Sequence, residues 1–560
     1  MTTKTVKIGA WGLLFSGFLI GCASGPKITS EPIPNLQNAK AKTSELTDDE
    51  LEVWGSKDLL KDTIPGMSVD RAYQEIIKDY KGESVIVAVL DSGIDIEHED
   101  FEGVIWTNID EIPENGIDDD KNGFVDDIHG WNFLGDVVEE NLEYTRIVRD
   151  YQDKFEGKSE SDVSEDNLEA FKLYKSAKAE YDKELTSTNA SLNRYVTMNN
   201  QLQEAEESLK IELDVDKLGI ENLTAYEPKD DISLNQKMLL LNVMNNIGED
   251  LGDIEDQLAQ AMEYFGNRTK YHFNLELNAR AEILGDDPDD FSTRFYGNNQ
   301  VSGPNEDKKD AKHGTHVAGI IAANRLNDKG VKGVAGNVLI MPIRAVPDGD
   351  EYDKDIAMGI RYAVDNGAKV INTSFGKYFS THPEWVMEAI AYAAENDVLI
   401  VNAAGNEGID LDETRVYPND ETPENPINFV DNFINVGSIT SEYGGNLISG
   451  FSNYGDNSVD VFAPGSSIYA TTPLNTYEFL QGTSMASPNV AGVAAMVRSI
   501  YPKLSAAQVK QILMDSGLST DQEVVLGGDS ENTLPFDEIS VSGKMVNMYN
   551  ALILASKTKK

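Results

Sequence analysis

Hydrophobic and polar positions follow three patterns along this chain. Val85-Ile86-Val87-Ala88-Val89-Leu90 is an almost unbroken apolar, β-branched run, which predicts a strand buried on both faces. Shorter runs of the same kind recur at Lys369 to Asn372, Val398 to Asn402 and Phe433 to Val436. Helical stretches lie between them, at Asp355 to Asn366 and Glu384 to Asn396. Strands alternating with helices predict a parallel α/β sheet. From about residue 137 to residue 300 the character changes to Glu, Lys, Leu, Asn and Gln, with long stretches poor in Pro and Gly. Asn167 to Lys210 and Ser233 to Leu284 predict amphipathic helices there. This is an α-helical subdomain inserted into the α/β domain, either a spacer or a lid or docking arm beside a site. Its heptads are not regular enough to predict a coiled coil.

The third pattern is at the N-terminus. Lys4 and Lys7 precede an uncharged, mostly apolar run of 13 residues, Ile8 to Ile20. That length suits a signal-peptide core and is too short to span a bilayer. The run ends in Leu19-Ile20-Gly21-Cys22, which resembles a bacterial lipobox, cut before a cysteine whose thiol is then acylated. Cys22 is the only cysteine in the chain, so intramolecular disulfides and cysteine metal sites are excluded. Acyl chains anchor by about 0.8 kcal/mol per buried CH₂. The expected organisation is a signal peptide over residues 1–21 and a polar, proline-bearing tether over 22–50. The α/β domain follows in two parts, 51–136 and 301–555, split by the helical insert at 137–300. The expected location is the envelope of a bacterium, as an outer-membrane lipoprotein facing the periplasm or the exterior, and the expected state a monomer.

Charge narrows the partners. The formal net charge is -49, from 47 Lys and Arg against 96 Asp and Glu. Such a chain repels phosphates, so nucleic acid is not an expected partner. Carboxylates in this excess form a solvated acidic surface, some of which can hold divalent cations.

Three segments carry candidate chemistry. Val89-Leu90-Asp91-Ser92-Gly93 puts Asp91 at the carboxyl end of the first strong strand, where open α/β sheets build their sites. His313-Gly314-Thr315-His316-Val317-Ala318-Gly319 opens a helix of small residues. Two histidines three apart suggest a zinc pair, but no third ligand lies nearby, so His313 is read as functional and His316 as packed. Gly482-Thr483-Ser484-Met485-Ala486-Ser487-Pro488 sets Ser484 at a helix N-terminus, where the helix dipole favours a developing anion.

In this order the three segments resemble the subtilisin family of serine peptidases. The Asp…His…Ser order is borrowed from that family. Asn402-Ala403-Ala404-Gly405-Asn406 resembles its oxyanion segment. Asn372-Thr373-Ser374-Phe375-Gly376 resembles the strand that pairs with the substrate backbone. The resemblance implies a three-layer subtilisin-like α/β fold and endopeptidase chemistry on polypeptides. Ser484 would be the nucleophile, His313 its base, Asp91 the orienting carboxylate and Asn406 an oxyanion donor. Ser374, Phe375, Gly376, Ala404 and Gly405 would contact substrate. An α/β-hydrolase is excluded, because all 6 histidines precede Ser484 and that fold needs one after its nucleophile. A catalytically inactive, lipid-anchored binding or scaffold protein is the alternative.

An acidic loop, Asp118-Asp119-Asp120-Lys121-Asn122-Gly123-Phe124-Val125-Asp126-Asp127, begins like an EF-hand but places His129 where the closing Glu belongs. Similar loops bind Ca²⁺ in subtilisin relatives, which implies a structural calcium held by Asp118, Asp120, Asn122 and Asp126.

Overall fold

The computed structural model describes residues 26, 28–36, 39–247, 250–421 and 429–559. The apolar run becomes strand β1 (Val85–Asp91) at the heart of a seven-stranded sheet. Its partners are β2 (Trp131–Asn132), β3 (Val338–Arg344), β4 (Val370–Thr373), β5 (Leu399–Ala403), β6 (Phe433–Ile439) and β7 (Val461–Pro464). They lie in the order β2-β3-β1-β4-β5-β6-β7, every pair parallel.

Alternation along β1 separates the two faces. Val87 and Val89 join one buried cluster, and Ala88 and Leu90 the other. Helix α5 (Lys312–Ala322) and helix α8 (Thr483–Ile500) cover the first face. Helix α6 (Asp353–Asp365) and helix α7 (Pro383–Glu395) cover the second. This is a three-layer α/β architecture. A hairpin, β8 (Ile468–Thr472) and β9 (Thr476–Leu480), lies beside α5.

The insert leaves and returns at one point. Asn132 and Asn298 exchange backbone hydrogen bonds at 2.8 and 3.0 Å. Between them run α1 (Glu143–Phe155), the 46-residue α2 (Leu168–Leu213), α3 (Asp231–Ile247) and α4 (Leu251–Asn267). One helix expected from Ser233 to Leu284 is thus divided into α3, α4 and short turns. At about 1.5 Å per residue α2 is roughly 70 Å long. It carries three separate apolar clusters, two at the root, around Phe171 and Tyr174 and around Ala177 and Tyr181, and one at the tip around Leu202, Leu209, Leu240 and Ile254.

The stretch read as a free tether is docked in part. Ile33 and Leu36 are buried in the main core. Ile33 N–H donates to Asn550 Oδ1 at 2.7 Å, and Leu36 N–H to Ser519 O at 2.9 Å. These two apolar side chains stand three positions apart among prolines and polar residues and are too few to show a period. The signal-peptide segment, Cys22 included, lies outside the described residues.

Candidate active site

Asp91 is the last residue of β1 and is 1% exposed. Beside it, Arg344 at the end of β3 is equally buried and holds the chain that follows Asp91, donating to Ser92 O at 3.1 Å. Asp91 Oδ1 accepts from Ser92 N–H at 2.7 Å and lies 2.7 Å from His313 Nδ1. Helix α5 delivers His313 close to this strand end. A Cβ on Gly314 would lie 2.2 Å from Gly93 O, so only glycine fits there. Burial disfavours a charged His313, but the Asp91 carboxylate outweighs it and the imidazole pKa is raised. His316 instead meets Glu478 O at 3.1 Å, and burial pushes its pKa down to about 4. The two histidines therefore have separate partners.

Ser484 sits in the first turn of α8, and the helix is locked beneath it. Pro488 has no N–H for the carbonyl four residues back, which is that of Ser484. Ser374 supplies the missing donor, its Oγ giving to Ser484 O at 2.9 Å. Ser487 Oγ donates to Asn372 Oδ1 at 2.9 Å, and Asn372 Nδ2 to Ser374 Oγ at 2.9 Å. A closed polar network of this kind rigidifies its surroundings. Ser484 Oγ donates to Ser374 O at 3.2 Å, and no hydrogen bond joins it to His313.

Asn406 follows β5 on an exposed turn. Its Oδ1 accepts from Thr483 N–H at 2.8 Å and from Thr483 Oγ1 at 3.1 Å. Two donors on one atom fix the carboxamide's orientation and leave Nδ2 as the outward edge. Between that edge and the backbone N–H of Ser484 lies Gly482, at φ 150°. A Cβ there would stand 3.5 Å from Ser484 N and 3.6 Å from Asn406 Nδ2. The same point lies 3.6 Å from Asn406 Oδ1, so the Asn406 carboxamide and the Ser484 N–H stand side by side at the positive end of a helix, where an oxyanion is favoured.

The expected substrate residues surround this point. Ser374 is buried, Phe375 half-buried and Gly376 exposed, and neither of the last two has a backbone hydrogen bond among the described residues. Ala404 is buried, and Gly405 N–H donates to Thr483 Oγ1 at 3.0 Å. Sequence reasoning missed Thr483 and Tyr378. The first lies inside the serine motif and braces Asn406. The second donates to Glu407 Oε2, which Asn406 N–H also meets at 2.9 Å.

The acidic loop distributes its carboxylates differently from the expectation. Asp118 accepts from the N–H groups of Asn122 and Gly123, and Asp126 from those of Asn115 and Gly116. Both are taken by the loop's own backbone. The carboxylates that converge are Glu111, Asp120 and Asp127, with ligand atoms within 4.8 Å of one another. Asn122 braces them, its Nδ2 donating to Asp120 at 3.0 Å and Asp127 at 3.1 Å. Glu111 Oε2 is buried with no hydrogen-bond partner, and burial pushes Asp127 up to about 6. A partnerless buried oxygen among hard carboxylate donors fits a Ca²⁺-sized cation.

Fold and site together are those of an α/β serine hydrolase, with the nucleophile last in the chain order. A sequence model described as the subtilase family matches residues 82–533. The chain belongs to that family, the subtilisin-like serine endopeptidases. It is 38% identical to subtilisin DY of Bacillus licheniformis over 40% of this chain and 78% of that one. It is 42% identical to a thermophilic serine proteinase of a Bacillus strain, over 33% of this chain and 42% of that one. Among solved structures, a protease from Pseudoalteromonas arctica is 29% identical with a TM-score of 0.35, covering 43% of this chain and 70% of that one.

Proposed function

We propose that this chain hydrolyses peptide bonds through an acyl-enzyme on Ser484. The observation that carries the reading is the 2.7 Å contact of His313 Nδ1 with the buried Asp91, together with a serine whose helix is locked in place. Ser484 Oγ attacks the peptide carbonyl while His313 takes its proton, since a neutral serine hydroxyl is a weak nucleophile. Asp91 holds the imidazole by Nδ1 and stabilises the imidazolium. The oxyanion is received by Ser484 N–H and Asn406 Nδ2. His313 then returns the proton to the leaving amine, and water, activated by the same histidine, releases the acyl group. For attack the Ser484 hydroxyl must leave Ser374 O and meet His313. Such contacts are often loose in free enzymes and tighten with substrate. A fluorophosphonate probe should label the protein, and the labelling should vanish in Ser484→Ala. Unlabelled wild type would favour the inactive scaffold instead.

The finer reading concerns setting. Glu111, Asp120 and Asp127 are proposed to hold a structural Ca²⁺, which would cross-link the loop after β1. Cys22 is proposed to carry the lipid that keeps the enzyme in the cell envelope. Cys22→Ser should move the protein from the membrane fraction to the soluble one, and unchanged partition would refute the anchor.

A further inference from the structure

The insert is fastened to the two loops that flank Asp91. In sheet order β3 and β4 stand on either side of β1, so the loops at their carboxyl ends form the walls of the groove above the catalytic aspartate. On the β3 side, Asp348 N–H donates to Val138 O and Glu140 N–H to Asp348 O, both at 2.8 Å. The approach is so close that a Cβ on Gly349, at φ 144°, would lie 2.5 Å from Glu140 O. The Arg146 guanidinium in α1 then takes the carbonyls of Asp350 at 2.8 Å and Glu351 at 3.0 Å. This edge is occupied by the insert.

On the β4 side, residues 374–376 make no backbone–backbone hydrogen bond among the described residues, and the Ser374 carbonyl is met by Ser484 Oγ until that hydroxyl turns to His313. At the next residue the edge closes. Lys377 pairs its backbone with Tyr417 at 2.9 and 2.8 Å. Its ammonium, 2% exposed, reaches Glu143 Oε2 at 3.2 Å, Asp353 Oδ1 at 3.0 Å and Glu351 O at 2.8 Å. Glu143 begins α1, and its neighbour Tyr144 packs edge-on against Phe379 with ring centres 6.0 Å apart. The first turn of the insert therefore bridges both walls immediately beyond Gly376.

We propose that the insert is the end wall of the substrate groove, limiting recognition on one flank of the cleaved bond to about three residues. The inference rests on the peptidase reading above. An extended strand rises about 3.3 Å per residue, so the open edge accommodates roughly 10 Å of peptide. Beyond that the substrate leaves the groove over α1, and residues farther out contribute no binding. Glu143 and Lys377 are positioning residues: they hold the open edge against the insert and touch no reacting atom.

The test uses the full-length enzyme and quenched fluorescent peptides, lengthened one residue at a time from one to six on either flank. On one flank kcat/KM should climb through the third residue and then change by less than about twofold. A gain of about tenfold or more from the fourth to the sixth residue on both flanks would overturn the proposal. Glu143→Ala should raise KM about tenfold for peptides with three residues on that flank. Its kcat and its rate of fluorophosphonate labelling should stay within about twofold of wild type, and an unchanged KM would refute the positioning role. The wild-type series stands whether or not that variant folds. Failure of the peptidase reading would look different, because the wild type would then neither label nor cleave any member of the series.

Discussion

Replacing Arg280 by Met should loosen the root of the insert while leaving the peptidase domain intact. Arg280 returns from the insert and forms a fork with Asp355 at the start of α6, at 2.7 Å on both arms. It also donates to Asp286 at 2.9 Å, and its side chain is 2% exposed. Removing one member of a buried ion pair costs about 3–5 kcal/mol, because the other charge stays buried. Here Asp286 keeps Lys354 at 2.7 Å, and Asp355 keeps the Tyr296 hydroxyl at 2.7 Å. Those partners put the cost near the lower end, about 3 kcal/mol. Since about 1.4 kcal/mol is tenfold, the insert should open roughly 10²-fold more often. The assay is limited proteolysis of the folded protein on a Ser484→Ala background, which prevents self-cleavage. With cleavage slow against reclosing, the rate follows the equilibrium opening. Cuts should appear first within the insert. A change below about threefold, or first cuts in the peptidase domain, would show that the pair does not hold the insert. Adding Asp355→Leu should restore much of the resistance, because a buried pair can be replaced by apolar packing at little cost.

Other outcomes follow from the active site and the acidic loop. Asn406→Ala should lower kcat by about 10²–10³ with little change in KM, the loss known for this donor in a subtilisin, and full kcat would remove Asn406 from the oxyanion role. The kcat/KM of the wild type should rise with pH through a midpoint above the ordinary imidazole value, since His313 accepts a proton only when neutral and Asp91 raises its pKa. Asp91→Asn should move that midpoint down as well as lower the plateau, and an unmoved midpoint would contradict the contact. Ca²⁺ at about a hundred times its Kd should stabilise the protein by about 2.7 kcal/mol. Glu111→Gln should abolish that gain; a gain unaffected by this substitution would place any ion elsewhere.

The parts of the fold visible in the sequence are those fixed by short-range pattern. Val85 to Leu90 reads as a two-face-buried strand, and its end residue Asp91 stands where the motif places it. Strand β3 was missed because Pro342 interrupts its apolar run, and β7 because its short run ends in Pro464. The motifs name the candidate residues, and the structure puts His313 2.7 Å from Asp91, yet the arrangement beneath the motifs is not legible in the sequence. Nothing in the sequence says that the missing N–H of Pro488 is answered by Ser374, or that Lys377 meets Glu143 across a separation of 234 positions. The calcium loop shows the same limit. Its spacing pointed to Asp118 and Asp126, but whether a carboxylate faces an ion or its own backbone depends on how the loop folds over Glu111.

The docked N-terminal stretch has a consequence for where cutting can happen. With Cys22 acylated as proposed, only 6 positions (28 − 22) separate the lipid from Ile28, which already packs against the main core. Fully extended, that leash reaches about 20–22 Å, roughly half the thickness of a bilayer with its headgroups. The enzyme would hover just above the surface that holds it. Any other protein rooted in the same patch would meet it at an effective concentration on the order of millimolar, without any docking contact. Freely diffusing chains would have to come to the surface to be cut, so leash length would rank substrates before the groove does.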